Sequence, residues 1–187
     1  MLFQIAESEI SRGGKIGMEV GTLREQIIIS LLMYKFGEAN VKVDEITKAE
    51  EDVKVFGESV SIKTKTDKNL QGVKLIWTVD WEKVEEFKKN YEPRSHFLFV
   101  QVVWNDIGNF YFIPLKAQLE VFKTLGRESY LKLPKKGTNP RGVEISKEAL
   151  ENLINHPDTR KIEIYWLRDN NVKVNPYKRW LDLWAED

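Results

Sequence analysis

Hydrophobic and polar positions alternate with period two on either side of Gly57. Val53 and Val55 flank Lys54 before it, and Val60 and Ile62 flank Ser61 after it. That period belongs to a half-buried strand, so two short strands joined by a turn at Gly57-Glu58 are predicted within residues 49–66. Along the second strand Ser61, Lys63 and Lys65 share one face, while Ile62 and Thr64 take the other. Antiparallel return across so short a turn brings Asp52, at the mouth of the first strand, beside Ser61 and Lys63.

The pattern changes to helical spacing upstream. Leu23, Ile27, Ile28, Leu31, Leu32 and Met33 predict a helix over 22–36, with Thr22 as N-cap, Glu25 completing a capping box and Gly37 as its stop. Downstream, an apolar run at 73–79 precedes a charged helix over 79–90, capped by Asp80, whose stripe is Val79, Val84 and Phe87. Residues 94–104 are nearly all apolar, as in a strand buried on both faces, and lead through a turn at 105–109 into a strand at 110–114. A helix over 114–125 stopped by Gly126, a helix from 146 to 155 capped by Ser146, and a strand at 161–167 follow. A turn at 169–171 then leads to a short terminal helix whose Trp180, Leu181 and Trp184 form a packing stripe, against the body of the protein or a second subunit. The pattern describes an α/β fold, a central mixed β-sheet flanked by helices.

Composition narrows the chemistry. With 187 residues and 42% hydrophobic content, residues 1–187 are expected to form one domain with a core of its own. There is no cysteine, which excludes thiol nucleophiles, disulfide frameworks and cysteine-ligated zinc. The two histidines, His96 and His156, lack metal-ligand or triad partners at useful spacing. The N-terminus lacks the apolar core of a signal peptide, and no run approaches the ~20 residues that span a bilayer, so a soluble cytoplasmic protein with no membrane partner is expected.

Net charge is zero, yet basic residues gather at 12–15, 63–68, 132–141 and 173–179. A local basic cleft is therefore available without a global pull towards nucleic acid. The segment from Arg12 through Gly13, Gly14 and Lys15 is rich in glycine but lacks Walker spacing, which removes the case for a nucleotide site. It reads either as an arm whose amides and basic side chains meet phosphates or as a plain loop. The loop at 133–142 holds prolines and glycines with Lys135, Lys136, Asn139 and Arg141, residue types that grip phosphates or read base edges. A plain charged connection is the alternative.

Asp52, a hairpin and then Ser61-Ile62-Lys63 together resemble the PD-(D/E)xK nuclease core. The likeness is to the variant found in type II restriction endonucleases in which the acid two places before the lysine is replaced. The resemblance implies a restriction-endonuclease-like fold and Mg²⁺-dependent, sequence-specific hydrolysis of double-stranded DNA. Asp52 would be a metal ligand, and Lys63 would orient or activate the attacking water. Ser61 stands where the family has Asp or Glu, and a hydroxyl is a weak Mg²⁺ ligand. A second carboxylate would then come from elsewhere. Glu25 is the nominee, because a helix before the hairpin often supplies such a glutamate in this core, and Glu58 is next in line. The capping box is the competing account of Glu25. The resemblance also places the loop at 133–142 beside DNA, and Arg12, Lys15 and Lys65 are further expected DNA contacts. Cutting both strands of a short palindrome calls for two active sites, hence a homodimer.

Two other readings compete. One is a non-catalytic nucleic-acid-binding protein that keeps a nuclease-like sheet. The other is a repair or junction-resolving nuclease with the same core. The size of the loop at 134–142 favours sequence reading and therefore restriction.

Overall fold

The computed structural model describes residues 1–10, 20–43, 51–138 and 140–186. Helices α1 (Leu2–Ile10) and α2 (Val20–Phe36) lead into β1 (Val41–Lys42), β2 (Val53–Val55), β3 (Glu58–Thr66) and β4 (Val73–Ile76). Helix α3 (Trp81–Asn90) precedes β5 (His96–Val102) and β6 (Ile107–Ile113). Helices α4 (Leu115–Leu125) and α5 (Arg127–Tyr130), strands β7 (Leu131–Lys132) and β8 (Val143–Ile145), helix α6 (Lys147–Ile154), strand β9 (Arg160–Tyr165) and helix α7 (Lys178–Glu186) complete the order.

Six strands form a mixed sheet in the order β1-β2-β3-β5-β6-β9, and β4, β8 and β7 form a smaller one. Strands β3 and β5 run parallel, the other neighbours in the large sheet antiparallel. A parallel pair needs a long crossover, and the segment between β3 and β5 supplies it with β4 and α3. The apolarity of β5 is used on both faces, as its sequence predicts. Phe97 and Phe99 join Tyr111, Ile113 and the inner faces of α4 and α6 through Ala117, Leu150 and Leu153. Val100 and Val102 join Val60, Ile62, Ile28 and Phe3 beneath α1 and α2.

Local signals place most boundaries. Asp80 caps α3 by accepting from the Glu82 amide, and Ser146 caps α6 by accepting from the Ala149 amide. Gly126, at φ 73°, ends α4. Other boundaries move. Thr22 lies inside α2, which already includes Val20, so the expected cap at Thr22 and its box with Glu25 do not form. Val79 precedes α3 and is exposed, leaving Val84 as that helix's buried anchor. The turn at 105–109 shortens because Asn105 reverses the chain at φ 60°, and residues from Ile107 onward already pair in β6.

Helix α1 was not among the expected elements; Phe3 and Ala6 are buried at helical spacing, and the same side also carries polar and charged residues. Glu7 and Gln4 are buried, which no apolar periodicity would announce. Both are satisfied by distant groups. Glu7 forms an ion pair with buried Arg24 of α2. It also accepts from the Trp104 indole at 3.0 Å and from Arg168 at 2.9 Å. Gln4 donates to the Asp169 carbonyl at 2.6 Å and accepts from the Asp169 amide at 3.0 Å. This junction fixes α2 against the sheet. Among the described residues no helix is long and apolar enough to cross a membrane.

Candidate active site

The site begins with a turn. Val55 pairs with Glu58, leaving Phe56 and Gly57 as a two-residue loop with φ of 52° and 88°. Two successive positive φ values match the twist of the strands they join, and glycine adopts the second without a Cβ penalty. The pairing covers only residues 53–55 against 58–60. From 61 to 66 that edge of β3 carries no partner strand among the described residues. Asp52 and Lys63 meet in this opening.

One oxygen of Asp52 collects three donors. The Ile62 amide lies at 2.6 Å, the Lys63 ammonium at 3.0 Å and the Ser61 hydroxyl at 3.2 Å. Helix α2 delivers Glu25 to the other side of Lys63, with its carboxylate 3.6 Å from the ammonium. Asp52, Ser61, Lys63 and Glu25 thus converge, with one cation between two carboxylates. Burial pushes the Glu25 carboxyl up to about 7, with the Asp52 charge adding to the rise and Lys63 opposing it. Burial alone would lower the Lys63 pKa, but the charges of Asp52 and Glu25 outweigh it and raise it.

Ser61 is almost fully buried, and its hydroxyl is engaged with Asp52. It acts on the carboxylate's orientation, and two other donors hold the same oxygen. Ser61→Ala is therefore expected to lower activity only about fivefold, the worth of one hydrogen bond of ~1 kcal/mol. Steady-state cleavage rates check this, and a loss beyond about a hundredfold would require a direct role for the hydroxyl. Glu58, the reserve acid, is not brought in. It sits at the hairpin tip, strongly exposed and 3.7 Å from His96.

The groups here able to hold a metal ion, beside the Lys63 ammonium, are the oxygens of Asp52, Glu25 and Ser61, the donor type a hard divalent cation takes. Among the described residues no cluster of three or more His, Cys, Asp or Glu side chains suits a metal. Two carboxylates suffice for Mg²⁺, which keeps several waters and takes further ligands from substrate phosphate. The raised Glu25 pKa marks a position where added positive charge would be stabilising.

The residues predicted to meet nucleic acid divide into three groups. Lys65 is tied down, its ammonium donating to the Gly72 carbonyl at 2.9 Å, and burial lowers its pKa. Lys135, Lys136 and Arg141 are exposed on the loop between β7 and β8. There a groove of about 540 Å³ is lined by Lys132, Leu133, Pro134, Lys135, Thr138 and Arg141. Gly142 closes that loop at φ 89°, where a Cβ would come within 1.8 Å of the Ile76 carbonyl oxygen, so the turn back into β8 requires glycine. Arg12, Lys15 and Asn139 lie outside the described residues.

A family model described as "Restriction endonuclease ThaI" matches residues 1–186. The chain belongs to this restriction endonuclease family. A solved structure described as "Restriction endonuclease in complex with substrate DNA" is 52% identical, covering 100% of this chain and 89% of that one at a TM-score of 0.92. No curated protein matches. Family membership makes the chain a type II restriction endonuclease, a site-specific hydrolase, and the mixed sheet flanked by helices is the fold of that structural relative.

Proposed function

We propose that this restriction endonuclease cleaves double-stranded DNA at the corner formed by Asp52, Glu25 and Lys63, with Mg²⁺ as cofactor. One observation carries the reading: an Asp and a Glu from separate elements flank the same lysine ammonium, at 3.0 and 3.6 Å. That constellation also supports the resemblance to the PD-(D/E)xK core, with Ser61 in place of the second strand acid and Glu25 supplying the missing charge from α2. DNA as partner is supported by the relative solved with substrate DNA.

Asp52 and Glu25 would hold the Mg²⁺, which supplies polarisation of the scissile phosphate and a lowered pKa for an attacking water. The protein's own groups do the positioning. The Ile62 amide and Ser61 hydroxyl hold the Asp52 carboxylate against β3. Lys63, whose pKa is raised by its two carboxylate neighbours, keeps its proton at neutral pH. It can serve there as a fixed cation, orienting the water and stabilising the charge that builds on the phosphate oxygens. Attack forms a bond from the water oxygen to phosphorus as the bond to the leaving sugar oxygen breaks, the water's proton passing to solvent and the leaving oxygen taking a proton from solvent. Cleavage of both strands would require a homodimer, with each copy contributing one such corner.

Purified protein incubated with plasmid DNA in Mg²⁺ should give discrete fragments, and excess EDTA should suppress them. Discrete cutting that persists in EDTA would remove the metal from the mechanism. The loop between β7 and β8 is proposed as the reading element. Arg141 can make paired hydrogen bonds to a guanine edge, worth ~1–3 kcal/mol of discrimination, whereas Lys135 and Lys136 suit phosphates. Arg141→Ala is expected to erode preference for cognate over scrambled duplex. Lys136→Ala should weaken binding to both and reduce the log-log salt slope by about one. Anisotropy titrations at several salt concentrations separate the two, and an unchanged cognate-to-scrambled ratio for Arg141→Ala would exclude the loop as the reading element.

A further inference from the structure

Among the α-helices of the described residues, α7 is the one for which tertiary burial offers no account. None of its residues is buried. Tyr177, just before it, and Trp180, Leu181 and Trp184 occupy successive turns of one side, with Trp180 57% and Trp184 77% exposed. Their spacing makes a continuous stripe. A nine-residue helix is too short to persist in water on its own propensity.

Its charges run against its own dipole. Lys178 and Arg179 sit in the first turn and Glu186 at the end, with no acid in the first turn and no base in the last. A helix favours the reverse arrangement. Its internal ion pair, Lys178 with Asp182 at 2.9 Å, has the lysine on the N-terminal side, the weaker orientation. A second copy of the same helix packed antiparallel offsets the first of these, the mismatch with the dipole. With the two-fold axis near Asp182, Trp180 lies opposite the partner's Trp184, and Lys178 lies opposite the partner's Glu186. Each helix then presents acid to the other's N-terminus and base to the other's C-terminus.

Edge strand β9 offers the contrast. It is also exposed, but Arg160, Lys161 and Glu163 punctuate it, as charges do on edges protected from pairing. The stripe on α7 carries no such charge.

We propose that α7 is the dimerisation element, pairing antiparallel with α7 of a second copy of this chain through Tyr177, Trp180, Leu181 and Trp184. The proposal rests on the dimeric reading given above and names its surface. Sedimentation of the full chain at micromolar concentration should give twice the chain mass, and Trp180→Asp with Trp184→Asp should give a monomer. Charge reversal supplies a test independent of tryptophan packing. Lys178→Glu with Arg179→Glu improves each helix's match to its own dipole, yet should raise the dimer dissociation constant about tenfold. Adding Asp182→Lys and Glu186→Lys should restore it. A monomeric wild type overturns the proposal, as does a dimer that survives the tryptophan changes, or one indifferent to charge reversal. A monomer whose DNA affinity falls on Lys178→Glu with Arg179→Glu assigns the stripe to DNA instead, which also overturns it. A dimer that dissociates as stated but cuts no DNA would defeat the catalytic reading and leave this one standing.

Discussion

Asp52→Asn is expected to abolish detectable cleavage, by at least about a thousandfold, while leaving folding and DNA binding in place. The conservative change matters because the Asp52 oxygen accepts from the Ile62 amide at 2.6 Å. Alanine would leave that donor without its partner at a cost of ~1–3 kcal/mol, confusing instability with lost chemistry. Asparagine keeps an acceptor in place but removes the charge that pairs with the Lys63 ammonium, 3.0 Å away, and that the proposed Mg²⁺ would need. Lys63→Ala should be comparably inactive for a different reason. It leaves Asp52 and Glu25 without the cation between them, so the variant can still take up metal but lacks the fixed positive charge near the phosphate. Single-turnover cleavage, with circular dichroism as the folding control, measures both. An Asp52→Asn enzyme that cuts at the wild-type rate would remove this corner from catalysis.

Glu25→Gln should lose cleavage and gain stability. The carboxyl is held at about 7 in the fold against an ordinary value of 4.5, chiefly by burial. The folded state therefore binds its proton more tightly than the unfolded chain. This stabilisation is fully present below pH 4.5 and is lost as pH rises through about 7. Above that, the ionised carboxylate is a net cost, tempered by the loss of a partner for Lys63 when glutamine replaces it. In EDTA at alkaline pH, Glu25→Gln is expected to be more stable by ~1–3 kcal/mol, and below the ordinary carboxyl range the advantage should vanish. Denaturant melts at both pH values check it. Equal stability at both would mean that Glu25 is not held in a costly charged state, and normal cleavage by Glu25→Gln would remove it as a metal ligand. Loss of activity with gain of stability is the signature of a group kept for function against its environment.

The two arms of the hairpin and the caps at Asp80, Ser146 and Gly126 were legible in the chain alone, because each depends on residues a few positions apart. A period of two fixes which face a strand residue takes. From this, the convergence of Asp52, Ser61 and Lys63 could be drawn before any tertiary contact was known. Glu25 was legible only as a choice between cap and ligand. The choice turned on where α2 starts and how it lies on β3, and the helix already includes Val20, leaving Glu25 to meet Lys63. Lys65 shares the face of Lys63, yet its ammonium turns to the Gly72 carbonyl, a partner set by the path of the following loop. The partners of buried Glu7 on helix α1 were beyond the reach of pattern reading, since Arg168 is 161 positions away and Trp104 97. Periodicity records which side of an element is apolar. It carries no record of a buried charge whose partners arrive from the far end of the chain, so the junction that seats α2, and with it Glu25, was decided by the tertiary structure alone.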